Sequence, residues 1–182
     1  MGAQDAAAPL ASELTLSWEL ADIADVISMD RFGAADLKVE SKPDLTPVTE
    51  ADKAVEQAIR AAIAARFPDD VVAGEEFGGF DEGRVPAGRV WIIDPVDGTR
   101  EYGERRSDWA VHVGLAIDGV ATIGAVALPA LDLVLRTDQP ISLAPPPPRL
   151  RMLVSRTRPA AEAVAVAEAL NAELIAMGSA GA

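Results

Sequence analysis

The sequence contains no cysteine and a single histidine, His112. Without cysteine, disulfide bonds, thiolate nucleophiles and cysteine-bound zinc are excluded, and one histidine cannot form a histidine-pair zinc site. No run of about 18 apolar residues occurs, which argues against a transmembrane helix. Residues 1–11 lack the basic and apolar regions of a secretory signal peptide. These absences favour a cytoplasmic protein without membrane contact.

Positive charge and aromatic side chains are also scarce. The 16 Lys and Arg face 29 Asp and Glu, which gives a formal net charge of −13 and argues against binding to nucleic acid. The excess of carboxylates is typical of an ordinary acidic surface, or of carboxylates clustered to hold cations. Aromatic residues make up 4% of a chain that is 49% apolar, so we expect a helix-rich core of small side chains.

Apolar residues recur at helical spacing in two N-terminal segments, residues 12–32 and 52–67. Pro68 ends the second helix, and Thr49, three residues before Asp52, predicts an N-terminal cap. Extended chain is expected between the helices, at 37–40 and 42–48. Strands are predicted at 71–73, 90–93, 109–117, 120–128 and 131–137, with a hairpin turn at Asp118-Gly119.

Four consecutive prolines, Pro145 to Pro148, predict an extended spacer. Beyond it the pattern predicts a strand at 151–155, a helix at 159–170 and a strand at 173–177. We therefore expect three parts: an N-terminal α+β domain at 1–143 with helices against an antiparallel sheet, a proline-rich connection at 144–149, and the beginning of an α/β domain at 150–182.

The motif richest in chemistry is Trp91-Ile92-Ile93-Asp94-Pro95-Val96-Asp97-Gly98-Thr99. A buried strand leads into Asp94, and Pro95 and Gly98 are expected to turn the chain, so that Asp94 and Asp97 leave the strand end on one short loop. Two such carboxylates can face a hard cation. Gly98 would let backbone N–H groups approach an anion, and Thr99 adds a hydroxyl. Taken alone, the motif is also compatible with an Asp-rich turn.

Two further carboxylate motifs precede it. Gly74-Glu75-Glu76 follows an apolar strand, and adjacent carboxylates repel unless a cation or a proton lies between them. The segment 46–52, Thr-Pro-Val-Thr-Glu-Ala-Asp, leads into a helix. An exposed loop and an ordinary helix cap are the simpler interpretations of these two motifs.

In this order the three motifs resemble the inositol monophosphatase superfamily, and the resemblance covers essentially residues 12–182. It implies the layered αβαβα sandwich of the inositol monophosphatase and fructose bisphosphatase type, with the second domain only partly present. It also implies a magnesium-dependent phosphomonoesterase that acts on a small phosphorylated metabolite. A homodimer is a further implication, although the sequence itself shows no interface.

The resemblance also assigns roles to residues. Glu75 and Asp94 would hold one Mg²⁺ with the backbone carbonyl of Val96, and Asp94 would bridge to a second ion that Asp97 also holds. Two or three ions are implied in total, with Glu76 in the outer shell or near the third ion.

Other residues would act on water and phosphate. Thr99, hydrogen-bonded toward Asp52, would orient and deprotonate the attacking water, and Glu75 would contribute to this catalytic group. Substrate contacts are implied for Glu75, Asp97, Gly98 and Thr99.

One family feature is missing. Family members carry a later Trp-Asp motif whose aspartate completes the second metal site, and this sequence has none. Residues 178–181, Gly-Ser-Ala-Gly, resemble the segment that leads into the next family helix. We therefore expect a chain that is truncated at its C-terminus and strongly impaired in turnover.

The substrate indications disagree between the two halves. Residues 100–102, 108–112 and 154–159 resemble the 3'(2'),5'-bisphosphate nucleotidases, whereas 42–49 and 74–78 resemble histidinol-phosphate phosphatases. The later half lies nearer the leaving group, so 3'-phosphoadenosine 5'-phosphate is the favoured substrate, with histidinol phosphate and inositol phosphate as alternatives. Arg100, Arg105 and Arg106 would either meet its extra phosphate or be solvated loop charges.

Rival classes remain. Haloacid dehalogenase-type phosphatases need two aspartates two residues apart, whereas Asp94 and Asp97 are three apart. No glycine-rich phosphate loop that ends in Lys-Ser or Lys-Thr is present. A metal-binding module without catalysis is the non-enzyme alternative. His112 is expected to pack or to form a hydrogen bond within a strand.

Overall fold

The computed structural model describes residues 10–43, 47–79, 88–142 and 144–179. The elements before the central sheet are α1 (Ala11–Arg31), β1 (Val39–Ser41), β2 (Pro47–Thr49) and α2 (Glu50–Arg66). The sheet region contains β3 (Val71–Gly74), β4 (Arg89–Asp97), α3 (Thr99–Gly103), β5 (Ala110–Ile117), β6 (Val120–Leu128), a 3-10 helix (Pro129–Leu131) and β7 (Leu133–Arg136). The last elements are β8 (Arg151–Ser155), α4 (Ala161–Ala169) and β9 (Glu173–Met177).

The α2 helix begins at a capping box, as the sequence predicts. The Thr49 hydroxyl accepts hydrogen bonds from the N–H groups of Ala51 and Asp52, and the Asp52 carboxylate accepts one from the Thr49 N–H at 2.9 Å. The cap satisfies N–H groups that the helix itself cannot pair. It also fixes Asp52 at the entrance of the helix, facing the interior.

The main sheet has the strand order β3-β4-β5-β6-β7. It is mixed, because β3 and β4 are parallel while the other neighbours are antiparallel. The expectation of an antiparallel sheet is therefore wrong at this edge. The sequence between β3 and β4 is 14 residues long, which is enough for the crossover that parallel neighbours require, whereas a tight hairpin turn joins only antiparallel strands.

Both long helices pack on one face of this sheet, and the core lies between them. The buried aliphatic residues of this layer include Leu16, Leu20, Val55, Ile59, Ile63, Val113 and Leu115. At one end Phe32, Tyr102 and Trp109 form an aromatic cluster, in which the Tyr102 and Trp109 rings meet edge-on at 4.9 Å. The opposite face leaves Ile92 of the central strand exposed.

The unit at the end of the chain is a parallel pair, β8 and β9, joined by α4. It contacts the first part through Arg156, which pairs with Glu101 and Glu104, and through the Gly178 N–H, which donates to Asp108 at 2.7 Å. The division into domains stays a prediction, and residues 1–9, Leu143 and 180–182 lie outside the described residues.

Two local predictions need correction. The strand expected at 131–137 begins only at Leu133, because Pro129 opens a 3-10 helix before it. The α3 helix was not predicted, since five residues are too few to show a helical period. No helix among the described ranges combines the length and apolar character that crossing a bilayer requires.

Candidate active site

The site is built around the end of β4, where the strand continues through Asp97 instead of turning at Pro95 as expected. In the ladder between β4 and β5, Asp94 lies opposite His112 and Asp97 lies opposite Ala110, so the register shifts between the two aspartates. Three steps along β4 match two along β5, which is a β-bulge at Pro95–Val96. In a regular strand, residues three apart face opposite sides. The bulge therefore brings Asp94 and Asp97 to the same side of the sheet.

Gly98 makes the turn that follows. Its backbone is left-handed, with φ 91°, and a Cβ there would lie 3.1 Å from Ser179 Cβ and 3.2 Å from Trp109 Cβ. Only glycine combines this conformation with so close an approach at no steric cost. The turn places Thr99 at the start of α3, where its hydroxyl lies 3.0 Å from both Asp52 Oδ1 and Val96 O.

Asp52 is fully buried behind Thr99. Its Oδ2 accepts hydrogen bonds from the N–H and the hydroxyl of Thr49 at 2.9 and 2.5 Å. Burial raises the pKa of Asp52 above its ordinary value, although the hydrogen bonds from Thr49 and Thr99 act in the opposite direction. The predicted contact between Thr99 and Asp52 is thus present in a buried setting that favours proton transfer.

The second carboxylate pair holds a lysine that the sequence reasoning missed. Lys42 Nζ lies 2.6 Å from Glu75 Oε1 and 2.6 Å from Glu76 Oε1. Glu76 is nearly buried, whereas the Glu75 side chain is 42% exposed toward the cavity. Burial opposes the Lys42 charge, but the hydrogen bonds and charges of both glutamates outweigh it and raise the pKa of Lys42. The cation that adjacent carboxylates require is here an ammonium group.

Asp94 is a carboxylate with little compensation for its charge. Its Oδ1 is buried and accepts no hydrogen bond from the described residues. Burial, followed by the charges of Glu75 and Asp97, raises the pKa of Asp94 to about 7, while His112 acts in the opposite direction. A buried acceptor without a partner beside two more carboxylates is a setting that a divalent cation would stabilise.

The donors around Asp94 fit a hard cation. Glu75, Asp94, Val96 and Asp97 all border one cavity, and together they offer carboxylate and carbonyl oxygens, the ligands that Mg²⁺ prefers. Within the described ranges, no three His, Asp or Glu side chains converge closely enough to enclose an ion. The ion pair of Glu75 with Lys42 provides a reason, because it holds one of the three carboxylates on an ammonium group.

Asp97 is held from two sides through its Oδ2. His112 Nε2 lies 3.2 Å from this oxygen, and Ser179 Oγ lies 2.5 Å from it. The hydrogen bond to Asp97 is the largest effect on His112 and raises the pKa of its imidazole. The expectation that His112 forms a hydrogen bond is met. Ser179 was missed, and the small-residue run after β9 is the sequence feature that marks it.

The cavity has a volume of about 790 Å³. Its lining residues are Pro47, Glu75, Asp94, Val96, Asp97, Gly98, Thr99, Arg100, Glu101, Ser155, Thr157, Arg158 and Gly178. Six predicted site residues thus face one space, whereas Asp52 and Glu76 are not part of its lining. The last four lining residues come from the β8–β9 unit, so both parts of the chain form this cavity.

Arg100 alone of the three predicted arginines borders this cavity. Arg105 and Arg106 line a separate hollow, and Arg106 is paired with Asp108 at 2.8 Å. Their suggested contact with a second phosphate is therefore not supported. Another cavity, of about 810 Å³, lies along α1 and α2, where Arg31 pairs with Asp36 and Glu50. We place the candidate site at Asp94 because uncompensated carboxylate charge is found there.

The sequence of the chain is similar to those of known phosphatases. Residues 10–142 match the model of the inositol monophosphatase family. A histidinol-phosphatase of Mycobacterium tuberculosis is 47% identical over 119 residues, which are 65% of this chain and 45% of that protein. A 3'-phosphoadenosine 5'-phosphate phosphatase of Mycobacterium bovis is 41% identical over 141 residues, which are 72% of this chain and 52% of that protein. The chain thus spans about half the length of these relatives.

Solved structures are similar over nearly the whole chain. An IMPase of Thermotoga maritima aligns with a TM-score of 0.75 and 23% identity, covering 93% of this chain and 69% of that one. An IMPase/NADP phosphatase complexed with NADP and Ca²⁺ aligns with a TM-score of 0.70 and 19% identity, covering 98% of this chain and 71% of that one. These similarities confirm the predicted layered α+β fold.

Proposed function

The chain belongs to the inositol monophosphatase family, and we propose that its cavity hydrolyses a phosphomonoester of a small metabolite with metal-activated water. The single observation that carries this proposal is the buried, unpartnered Oδ1 of Asp94 beside Glu75 and Asp97. A cation there would relieve the repulsion and would attract a phosphate to an otherwise acidic site. The cavity of about 790 Å³ has room for a metabolite of this size.

Magnesium is the metal we propose. Glu75, Asp94 and the Val96 carbonyl would hold one ion, and Asp94 and Asp97 would hold a second, with Glu76 near a third. Such ions supply a water of lowered pKa and neutralise phosphate charge. Lys42 and the metal would compete for Glu75, since both cations are attracted to the same carboxylate.

The residues of the chain would then position the reactants and move the proton. Thr99 donates its hydroxyl hydrogen to Asp52 Oδ1 at 3.0 Å, and its oxygen lone pairs would then accept a hydrogen bond from water in the cavity. Asp52, buried and with a raised pKa, is the group we propose as the final proton acceptor. Backbone N–H groups of Gly98 and Thr99 would bind phosphate oxygens.

For the substrate, the charges of the cavity favour a leaving group with a second anion. Arg100 and Arg158 both line the cavity, and neither forms an ion pair within the described part of the chain. Unpaired guanidinium groups bind phosphate well. A 3'-phosphoadenosine 5'-phosphate phosphatase is also among the relatives, with 72% of this chain aligned. We therefore favour this bisphosphate.

Histidinol phosphate is the second candidate, because relatives named histidinol-phosphatase reach 47% and 48% identity. Its amino group would carry positive charge and would be repelled by Arg100 and Arg158. Inositol 1-phosphate, with a neutral ring, is the third. The charge of the two arginines favours the bisphosphate first, the neutral inositol ester next and histidinol phosphate last, whereas sequence identity ranks histidinol phosphate higher, and measured rates distinguish the two orders.

The test is phosphate release by this chain with Mg²⁺ from each of the three esters, alongside Asp94→Asn. Asp70→Asn is a matched control, because Asp70 is also a buried carboxylate. It forms an ion pair with Arg89 and accepts a hydrogen bond from Trp91, and it does not line the cavity. Release that is lost in Asp94→Asn and kept in Asp70→Asn supports the proposal. Stabilisation by Mg²⁺ without any phosphate release would instead support a metal-binding module without catalysis.

A further inference from the structure

A buried glutamate outside the proposed mechanism lies next to the Glu75–Glu76 turn. Glu56, in the second turn of α2, has no exposed surface. Its Oε2 accepts a hydrogen bond from the Glu76 N–H at 2.7 Å, and its Oε1 accepts one from the Phe77 N–H at 3.2 Å. A buried carboxylate is costly unless it is paired, so these contacts stabilise both the charge and the turn.

Arg60, one helical turn further along α2, completes the arrangement. Its Nε donates to Glu56 Oε1 at 2.8 Å, its Nη1 donates to the Val72 carbonyl at 3.0 Å, and its Nη2 donates to the Gly78 carbonyl. The Glu56–Arg60 pair therefore forms hydrogen bonds with the backbone both before and after Glu75. This pair supplies acceptors and donors to a turn that carries two of the proposed site residues.

Gly74 shows how closely the carboxylate approaches. A Cβ at this position would lie 2.0 Å from Glu56 Oε1 and 2.2 Å from its Cδ. The backbone of Gly74 is not left-handed, so the requirement for glycine is the space that Glu56 occupies. The glycine of the Gly-Glu-Glu motif thus leaves the space that the carboxylate of Glu56, 18 residues earlier, needs to reach the turn.

We propose that Glu56 is a positioning residue, which fixes the turn from Gly74 to Phe77 and so aims the Glu75 carboxylate at Asp94. The proposal rests on the proposed metal site, since Glu75 is one of its ligands. The Glu75 side chain is partly exposed and pairs with Lys42, which Mg²⁺ would replace, so the turn is what would keep the Glu75 backbone in place once the metal binds. Partners behind a metal ligand commonly change metal affinity by roughly 10- to 100-fold when removed.

The test compares Glu56→Gln with Asp70→Asn. Gln keeps the volume of the side chain, but its NH₂ group replaces one of the two oxygens that now accept hydrogen bonds. One N–H donor that points at Glu56 would therefore face another donor. Both variants remove a buried carboxylate that pairs with an arginine, so both are expected to lower Tm. Hydrogen exchange of the Glu76 and Phe77 amides in metal-free protein measures how firmly the turn is held. Calorimetric titration measures the Mg²⁺ affinity of the site to which Glu75 would contribute.

We expect Glu56→Gln alone to accelerate exchange at both amides and to weaken Mg²⁺ binding about 10-fold or more. Unchanged exchange at these amides, or unchanged Mg²⁺ affinity in a wild-type protein that binds Mg²⁺, would overturn the proposal. If the wild type binds no Mg²⁺ while exchange is still accelerated, the proposed metal site fails and the control of the turn by Glu56 stands.

A second variant covers the case in which Glu56→Gln does not fold. In Gly74→Ala the new methyl group would displace the Glu56 carboxylate, so exchange and Mg²⁺ affinity are expected to change in the same direction. The double variant Glu56→Ala/Gly74→Ala removes the clash, and its Mg²⁺ affinity is expected to equal that of Glu56→Ala. Wild-type Mg²⁺ affinity and exchange in Gly74→Ala would contradict the proposal.

Discussion

The Thr99 hydroxyl lies 3.0 Å from Asp52 Oδ1, and this contact links the starts of α3 and α2 across 47 residues of sequence. Thr49 occupies the other carboxylate oxygen of Asp52. The carboxylate is therefore held in one orientation, with one oxygen directed through Thr99 toward the cavity. Proton transfer depends on such fixed geometry before it depends on pKa.

Removal of the Thr99 hydroxyl tests this link. We expect Thr99→Ala to lower kcat by roughly 100- to 10,000-fold, the usual contribution of a positioned proton acceptor. Mg²⁺ binding is expected to persist, because Thr99 is not among the proposed ligands. Phosphate release and calorimetry measure the two properties separately.

Two matched variants sharpen this experiment. Thr99→Ser keeps a hydroxyl and is expected to retain most activity. Thr122→Ala removes a hydroxyl that bonds only the Val120 carbonyl at the surface, so it should leave kcat unchanged. Equal kcat values in Thr99→Ala and Thr122→Ala would exclude Thr99 from proton transfer.

Local sequence patterns account for much of what the structure contains. The capping box at Thr49 and the β5–β6 hairpin depend on residues within a few positions of each other, so their spacing reveals them. The motif around Asp94 is recognisable for the same reason. Short-range determinants of this kind can be found without coordinates.

The missed features depend on contacts between distant residues. Lys42 reaches Glu75 across 33 positions, and Ser179 reaches Asp97 across 82. The bulge at Pro95 is local, but it is visible only from the register of the neighbouring strand. A proline usually ends a central strand, so a turn was expected at Pro95. The strand continues through this residue because it lies in the bulge.

The aromatic cluster yields a stability prediction. The buried Tyr102 hydroxyl donates to the Ser28 carbonyl at 2.6 Å, which joins α3 to the last turn of α1. We expect Tyr102→Phe to lower the free energy of unfolding by about 1–2 kcal/mol, because one hydrogen bond is lost and the ring packing is kept. Urea denaturation measures this change.

Ser28→Ala is the control for Tyr102→Phe. The Ser28 hydroxyl bonds the Asp25 carbonyl within α1, whereas Tyr102 uses the Ser28 backbone, so this variant preserves the contact. It should unfold at nearly the wild-type urea concentration. A loss as large as that of Tyr102→Phe would show that packing around Ser28, and not the hydrogen bond, is responsible.

Lys42 is predicted to compete with the metal. Its ammonium lies 2.6 Å from Glu75, a proposed ligand, so Lys42 and Mg²⁺ are drawn to the same carboxylate. We expect Lys42→Met to lower the Mg²⁺ concentration that gives half-maximal thermal stabilisation by roughly fivefold, the equivalent of about 1 kcal/mol for a partly exposed ion pair.

Lys53→Met provides the comparison, since Lys53 pairs with Glu40 at 2.8 Å on the exposed surface. It removes the same charge from the chain without freeing a proposed ligand. Its Mg²⁺ midpoint should stay close to the wild-type value. If both variants shift the midpoint equally, the effect is one of net charge and not of competition at Glu75.

Asp94 gives the pH-dependent prediction. Burial and the neighbouring carboxylates raise its pKa from the ordinary value of 3.8 to about 7. A carboxyl group whose pKa is higher in the folded chain stabilises the fold while it is protonated, and this stabilisation is lost as the pH rises toward about 7. We therefore expect metal-free Asp94→Asn to be more stable than wild type at about pH 8, by about 2 kcal/mol after screening by solvent is allowed for.

Thermal unfolding at about pH 5 and about pH 8, with a chelator and then with Mg²⁺, measures this effect. The advantage of Asp94→Asn should shrink at the lower pH, where wild-type Asp94 is protonated, and it should reverse when Mg²⁺ binds the wild type.

Asp138→Asn is a control for which the opposite change in stability is expected, because the hydrogen bond with Arg136 lowers the pKa of Asp138. That variant should lose stability at about pH 8 with or without Mg²⁺. An Asp94→Asn protein that is less stable than wild type in chelator at this pH would show that Asp94 is stabilised by contacts within the chain, and the argument for a cation at its Oδ1 would fail.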